Sequence, residues 1–171
     1  MESIIFGKKN IKKVLIRLIF VSTIVVSADQ ISKYFVKTKI LLYDNIDIID
    51  NFFSLTHILN PGGAFGLFAS QSSEIRFFIF LFLSSIISLL ILWFYIKVAF
   101  DYVFLSYGMA LIFGGAVGNL IDRFSYGYVI DFLDFYFHDL HFPAFNIADS
   151  AISIGMAILI YHILFNKIPN F

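Results

Sequence analysis

The sequence predicts an all-α membrane protein with four transmembrane helices, and three observations carry that reading. The chain of 171 residues is 60% hydrophobic and only 14% charged, with a mean hydropathy of +0.88, whereas a soluble domain is about one quarter charged. Two windows of 20 residues, Phe77 to Ile96 and Tyr102 to Ile121, contain no charge. At ~1.5 Å per residue each crosses a hydrocarbon core of roughly 30 Å. Two further apolar windows keep their charges near their ends, where a long side chain reaches the interface or a polar partner.

The spans follow in order as about 14–36, 75–96, 102–121 and 144–165. The first carries Arg17 near its start and Asp29 and Lys33 toward its end. It also has the look of a signal peptide: Lys8, Lys9, Lys12, Lys13 and Arg17 form a basic leader, and "VSA" before Asp29 fits a small-residue cleavage site. The apolar pattern continues past that point through Ile31, Tyr34, Phe35 and Val36, as in a retained helix. The second and third spans are joined by Lys97 to Asp101 and form a tight antiparallel hairpin. The fourth has Asp149 near its start. No linker, repeat or low-complexity tract divides the chain, so a single integral-membrane domain over residues 1–171 is expected.

The basic N-terminal cluster places the N-terminus in the cytoplasm, and four spans return the C-terminus, with Lys167, to the same side. The acids are then lopsided. Glu2 and Asp101 lie inside, whereas Asp29, Asp44, Asp47, Asp50, Glu74, Asp122, Asp131, Asp134, Asp139 and Asp149 lie at the extracytoplasmic end. Of the two outer loops, the first contains "FFSLTHILN", whose alternation of Phe53, Leu55, His57 and Leu59 with Ser54, Thr56 and Ile58 reads as a strand, followed by the turn "NPGGAFG". The second, about Asp122 to Pro143, is rich in Phe and Tyr and suits the headgroup layer.

Composition narrows the chemistry. Twelve basic and 12 acidic residues cancel, so no net field draws nucleic acid, and the absence of cysteine rules out thiol nucleophiles, zinc thiolate sites and disulfides. His138 and His141 form an HxxH, but no HExxH occurs, and solvated loop histidines account for them; His162 reads as an interfacial or packing residue. No GxSxG is present. No metal and no cofactor is expected.

What remains is a set of carboxylates. Asp131 follows the third span and Asp149 heads the fourth, and neighbouring helices let them meet. Two like charges ~4 Å apart at an effective dielectric of ~20 repel by about 4 kcal/mol, so one proton is shared over the pair near neutral pH. Such a pair can hold a water, take its proton and polarise a carbonyl. The plainer alternative is that Asn146 and Asp149 make a capping box on the fourth helix, and that Asp131 is an interfacial loop acid. Asp122, at the end of the third span, needs a cation; Lys33 is the candidate, and Asp29, Lys33, Asp122 and Arg123 form a candidate ion-pair staple. Gly114 and Gly118 give a GxxxG spacing for close helix packing. Asn60 and Asn119 are either amide donors for a peptide backbone or structural caps.

Five blocks, "DQISK", "NPGGAF", "GGAVGNLIDR", "GYVIDF" and "FNIADS", occur in this order across about residues 14 to 165. In them the sequence resembles the lipoprotein signal peptidases, the type II signal peptidases of bacteria. The resemblance implies four transmembrane helices with a small extracytoplasmic β-cradle and a short periplasmic helix or loop. It implies a membrane-embedded aspartic endopeptidase of the bacterial inner membrane, with Asp131 and Asp149 as the catalytic pair and Asp29, Lys33, Asn60, Asn119, Asp122, Arg123 and Asn146 in support. The implied substrate is a diacylglyceryl-modified prolipoprotein cut just before the lipidated cysteine. Membrane lipid is the surrounding partner, and nothing demands more than a monomer. The competing class is a proton- or ion-coupled transporter, whose acids would lie near the midplane of interrupted, repeated helices; a non-catalytic membrane scaffold is the third.

Overall fold

The computed structural model describes residues 11–62 and 71–165. Four helices, α1 (Ile11–Lys39), α2 (Ser73–Val98), α3 (Val103–Tyr126) and α4 (Ile147–Leu164), are each long and apolar enough to cross a membrane. Between them lie β1 (Asn45–Ile49), β2 (Phe53–Asn60), β3 (Val129–Phe137) and β4 (Leu140–His141), paired antiparallel in chain order. Helix α1 runs unbroken through Asp29, as the continuous apolar pattern requires. Lys8, Lys9, Lys167 and the second half of "NPGGAF" lie outside the described residues.

Helix α3 is the hub. It packs against each of the other three helices and is the most buried, yet it has the lowest mean hydropathy of the four at 1.6; α2, the most hydrophobic at 2.6, is buried least. In lipid an apolar side chain gains nothing by facing another helix, so small residues and polar bonds make the contacts. A Cβ on Gly114 would sit 3.0 Å from Ser22 Cα of α1, and one on Gly115 would sit 2.3 Å from the Ala148 carbonyl of α4. Both helices therefore approach α3 over its glycines. Gly115→Ala would push the first turn of α4 away, and we expect it to lower thermal stability and to cost more activity than Gly114→Ala, as a melting curve and a turnover assay would read.

At the end of the bundle away from the sheet, Tyr95 Oη donates to the Val14 carbonyl (2.7 Å), and Arg17 donates to the Ala99 carbonyl (3.1 Å) and to Ser106. The charge that interrupts the first span is thus held by the α2–α3 hairpin.

At the other end the structure departs from the sequence reading in three places. Helix α3 continues past Asp122 to Tyr126 and stops at Gly127 (φ 81°), whose N–H bonds the Arg123 carbonyl. A left-handed glycine ends the helix, not the first charge, so Asp122 lies a turn inside. The aromatic segment after it forms strand β3 and places Asp131 on a sheet, not on a loop along the headgroups. In β2 the alternation holds over Phe53–Thr56 but with the polar Ser54 and Thr56 on the buried face and Phe53 and Leu55 only partly covered; it breaks at Thr56 and His57, both buried, where the register shifts as at a bulge. After that shift Ile58 stands opposite Asp131 and Asn60 opposite Val129. Asn60 is then the diagonal neighbour of Asp131 on one face, within side-chain reach.

Candidate functional site: a buried carboxylate cluster

The polar residues of α1, α3, β2, β3 and the start of α4 converge where the helices meet the sheet. Two layers can be distinguished. The inner layer is an ion-pair core. Lys33 is 2% exposed, with Asp29 at 0% and Asp122 at 1%. Its Nζ donates to Asp29 Oδ2 (2.7 Å) and Asn119 Oδ1 (3.1 Å) and lies 2.8 Å from Asp122 Oδ2. An ammonium has three protons, and all three have acceptors.

Each acid of this core also holds a backbone element. Asp29 Oδ1 accepts from the Ala148 N–H at the head of α4 (2.9 Å), and Asp122 Oδ2 accepts from the Ile130 N–H of β3 (3.2 Å). The two segments that carry Asp149 and Asp131 are therefore docked onto the same buried charges.

The outer layer is the acid pair itself on a frame of three asparagines. Asn146 Nδ2 donates to Asp131 Oδ1 (2.7 Å) and Asn119 Oδ1 (3.2 Å), while the Asn146 backbone N–H donates to Asp149 Oδ2 (3.2 Å). Asn119 Nδ2 donates to Asp149 Oδ1 (2.7 Å), and Asn60 Nδ2 donates to Asp131 Oδ2 (2.9 Å). Each of the four carboxylate oxygens thus accepts a hydrogen bond from an amide, and Asn146 bridges the two acids. The capping box anticipated from "NIAD" is present, with both reciprocal bonds, so Asp149 takes part in the cap of α4 through Asn146, the residue that also donates to Asp131. The amides of Asn60 and Asn119 each donate one hydrogen bond to a carboxylate of the pair.

Burial pushes the Asp131 carboxyl up from its usual range to about 6; the neighbouring Asp149 charge adds to the rise, while the Asn60 and Asn146 hydrogen bonds and Lys33 oppose it. Asp131 is 3% exposed.

Arg123 departs from the expected staple. Among the described residues it makes no ion pair with Asp29 or Asp122; its Nη1 donates to the Asn119 carbonyl (3.4 Å) and its Nε is buried without a partner. Helix geometry explains this, since adjacent positions point apart and only Asp122 faces α1. Sequence reasoning missed Gln30. Its Nε2 donates to Asp122 Oδ1 (2.8 Å), the Gly118 carbonyl (3.2 Å) and Asp29 Oδ2 (3.2 Å), closing the ion-pair core on its outer side. An uncharged amide beside Asp29, at the depth of the charges, was the available signal. The HxxH does not act as a unit: His138 sits exposed at the β3–β4 turn, and His141 Nδ1 lies 2.9 Å from Asp134 Oδ2.

Four apolar spans with a sheet at one end and a carboxylate pair between them, Asp131 buried and Asp149 partly exposed, define a polytopic membrane protein built around that pair. The model of a family described as Signal peptidase (SPase) II matches residues 21–165. A lipoprotein signal peptidase of Desulforapulum autotrophicum is 56% identical over 158 residues, covering 92% of this chain and 98% of that protein. One of Geobacter sulfurreducens is 45% identical over 132 residues, covering 77% and 81%. A solved structure described as a bacterial membrane enzyme, determined by the in meso method at 2.3 Å, superposes with a TM-score of 0.77 at 34% identity, covering 88% of each chain. A second such structure, at 1.9 Å, gives 0.76 at 34% identity, covering 86% of this chain and 92% of the other. The chain belongs to the signal peptidase II family, a family of peptidases.

Proposed function

We propose that this chain removes the signal peptide from diacylglyceryl-modified prolipoproteins, cutting just before the lipidated cysteine, and that Asp131 and Asp149 are its catalytic pair. The observation that carries the reading is the amide frame: two acids from different elements share Asn146 and have every oxygen oriented, while both acids of the core behind them are engaged by Lys33. The pair is what is left to do chemistry.

Asp131 carries the shared proton and Asp149 is the base. A water between them loses a proton to Asp149 as its oxygen adds to the scissile carbonyl carbon, and the carbonyl oxygen takes the Asp131 proton. Collapse of the resulting diol breaks the C–N bond, with the proton on Asp149 going to the leaving nitrogen and a diol proton returning to Asp131. The products are a carboxyl and an amine, and no covalent intermediate forms. The supporting roles follow from the bonds described. Asn60, Asn119 and Asn146 orient the carboxylates; Asp29, Lys33 and Asp122 hold α4 and β3 in register; and Arg123, alongside Asn119, adds positive charge near the pair. The basic N-terminal cluster assigns both termini to the cytoplasm and the pair to the extracytoplasmic side of the inner membrane. A lipid-anchored scissile bond lies at that depth. The unbroken helices and the clustering of acids at one end favour this reading over a coupled transporter.

The test is cleavage by purified protein of a synthetic prolipoprotein with and without its diacylglyceryl group, in the presence of chelator. The lipidated form is expected to be cut before the cysteine and the other left intact. Equal cleavage of both forms contradicts the substrate assignment, and loss of activity in chelator contradicts the metal-free pair.

The pH profile is a second expected result. Activity should need the Asp131 proton, so kcat/KM should fall as pH rises through about 6, with the apparent value belonging to the pair. Asn60→Leu keeps the bulk but removes a bond that favours the ionised form, so the descending limb should move to higher pH. A limb that stays in place would show that Asn60 does not tune the pair.

A further inference from the structure

A cavity of about 470 Å³ lies between the first turn of α2 and the end of α3, lined by Pro61, Glu74, Arg76, Phe77, Tyr126 and Tyr128 among others. Below it on the same α2–α3 seam is a second, apolar cavity of about 440 Å³, lined by Leu81, Ser85, Val117, Leu120, Ile121 and Phe124. The two are in step along both helices, since Leu81 lies one turn below Phe77 and Phe124 precedes Tyr126. From Glu74 to Ser85 the seam runs about 16 Å at the helical rise, which is half of a roughly 30 Å core. That is the depth of one leaflet.

The chemistry changes along the seam as it does along a lipid. At the top, Arg76 has a buried Nε with no hydrogen-bond partner among the described residues. Arg76 also lines the cavity, and a phosphate oxygen fits a guanidinium fork. Glu74 faces the same cavity and is not ion-paired to Arg76 among the described residues. An anion site beside a cation site is the pattern of a zwitterionic headgroup. The stacked rings of Tyr126 and Tyr128, with centroids 5.8 Å apart, give the amphipathic wall found at headgroup level. Below Phe77 the lining turns aliphatic, with Ser85 spending its hydroxyl on the Leu81 carbonyl (2.8 Å).

We propose that the α2–α3 seam is a binding site for one zwitterionic phospholipid of the phosphatidylethanolamine type, its phosphate on Arg76, its ammonium toward Glu74 and an acyl chain along Leu81, Leu120 and Phe124. The site is separate from the carboxylate pair and does not depend on the peptidase reading. A diacylglyceryl group carries no phosphate and has no use for Arg76, so the seam's top is built for a different lipid from the proposed substrate.

Native mass spectrometry of the full chain, released from detergent after titration with phosphatidylethanolamine, phosphatidylglycerol or diacylglycerol, tests this. The wild type should retain one phosphatidylethanolamine in preference to the other two. Arg76→Gln should weaken that retention roughly tenfold, the size of one charge-assisted bond, and Ser85→Trp should weaken it by filling the tail channel. If Arg76→Gln fails to fold, as judged by its melting curve, Glu74→Gln is the deciding variant: it should erase the preference for phosphatidylethanolamine over phosphatidylglycerol. Diacylglycerol held as tightly as phosphatidylethanolamine, or retention unchanged in Arg76→Gln, overturns the proposal. With Arg76→Gln unfolded, a preference that survives Glu74→Gln overturns it as well.

Discussion

Asp131→Asn and Asp149→Asn should each abolish processing, lowering the single-turnover rate by roughly 10²–10⁴-fold or more, while leaving the fold and substrate binding in place. The exchange is nearly isosteric and the surrounding donors are amides. At position 149 the Asn119 Nδ2 and Asn146 N–H bonds still find one oxygen. At position 131 the Asn146 and Asn60 bonds likewise keep one acceptor. What disappears is the ability to trade a proton. In the proposed mechanism the two acids work as a unit, so the double variant should be scarcely worse than either single one. A helix-capping role for Asp149 predicts something else: Asn at this third helical position keeps an oxygen for the Asn146 N–H, so processing would survive. The assay separates the two roles even though the structure shows both bonds of the box.

Lys33→Met should be the most destabilising single change in the chain, by about 3–5 kcal/mol, the range for removing one partner of a buried ion pair. Its Nζ is the cation held by both Asp29 and Asp122, each almost wholly buried. Removing it leaves two carboxylates facing each other without a counter-charge. Those same acids hold the Ala148 and Ile130 N–H groups, so the heads of α4 and β3 should loosen together and activity should fall in parallel with stability. Adding Asp29→Asn and Asp122→Asn to Lys33→Met should restore much of the lost stability, since the triple variant buries no charge; chemical or thermal unfolding in detergent reads the difference. A Lys33→Met protein as stable as the wild type would show that the cluster is wetter than its burial indicates.

The sequence made some of this legible and hid the rest for definable reasons. The spans were readable because lipid imposes one requirement, an uninterrupted apolar run, and α2 meets it with almost no help from neighbours. The Asp29–Lys33–Asp122 core was readable because an acid inside an apolar segment needs a cation and the i,i+4 spacing supplied one. The end of α3 is not legible from charge, because the apolar run stops at Asp122 whereas the left-handed Gly127 ends the helix. Strand β3 was hidden because "YVIDFLDFYF" is apolar on both faces and shows no alternation; its partner Asn60 lies some 70 residues away (separation 71 from Asp131), beyond any local pattern. Arg123 lies at the depth of the staple but leaves its helix on a different face from Asp122, and the bonds that give Gln30 its place run to Asp122 and Gly118 on α3, far away in sequence. The functional resemblance rested on five short blocks. Their residues converge in three dimensions because α3 carries the glycines that let α1 and α4 close on it.

The central claim is that Asp131 and Asp149 hold one proton between them at the pH where the enzyme works. It is tested most directly by following the side-chain carboxyl resonances of protein labelled at aspartate, assigned with the two Asn variants, as pH is lowered in detergent micelles. The account predicts that one proton is taken up by the pair with an apparent value near 6, seen at Asp131, and that this step is lost in Asp131→Asn. Independent titration of both carboxyls in the ordinary aspartate range would contradict it.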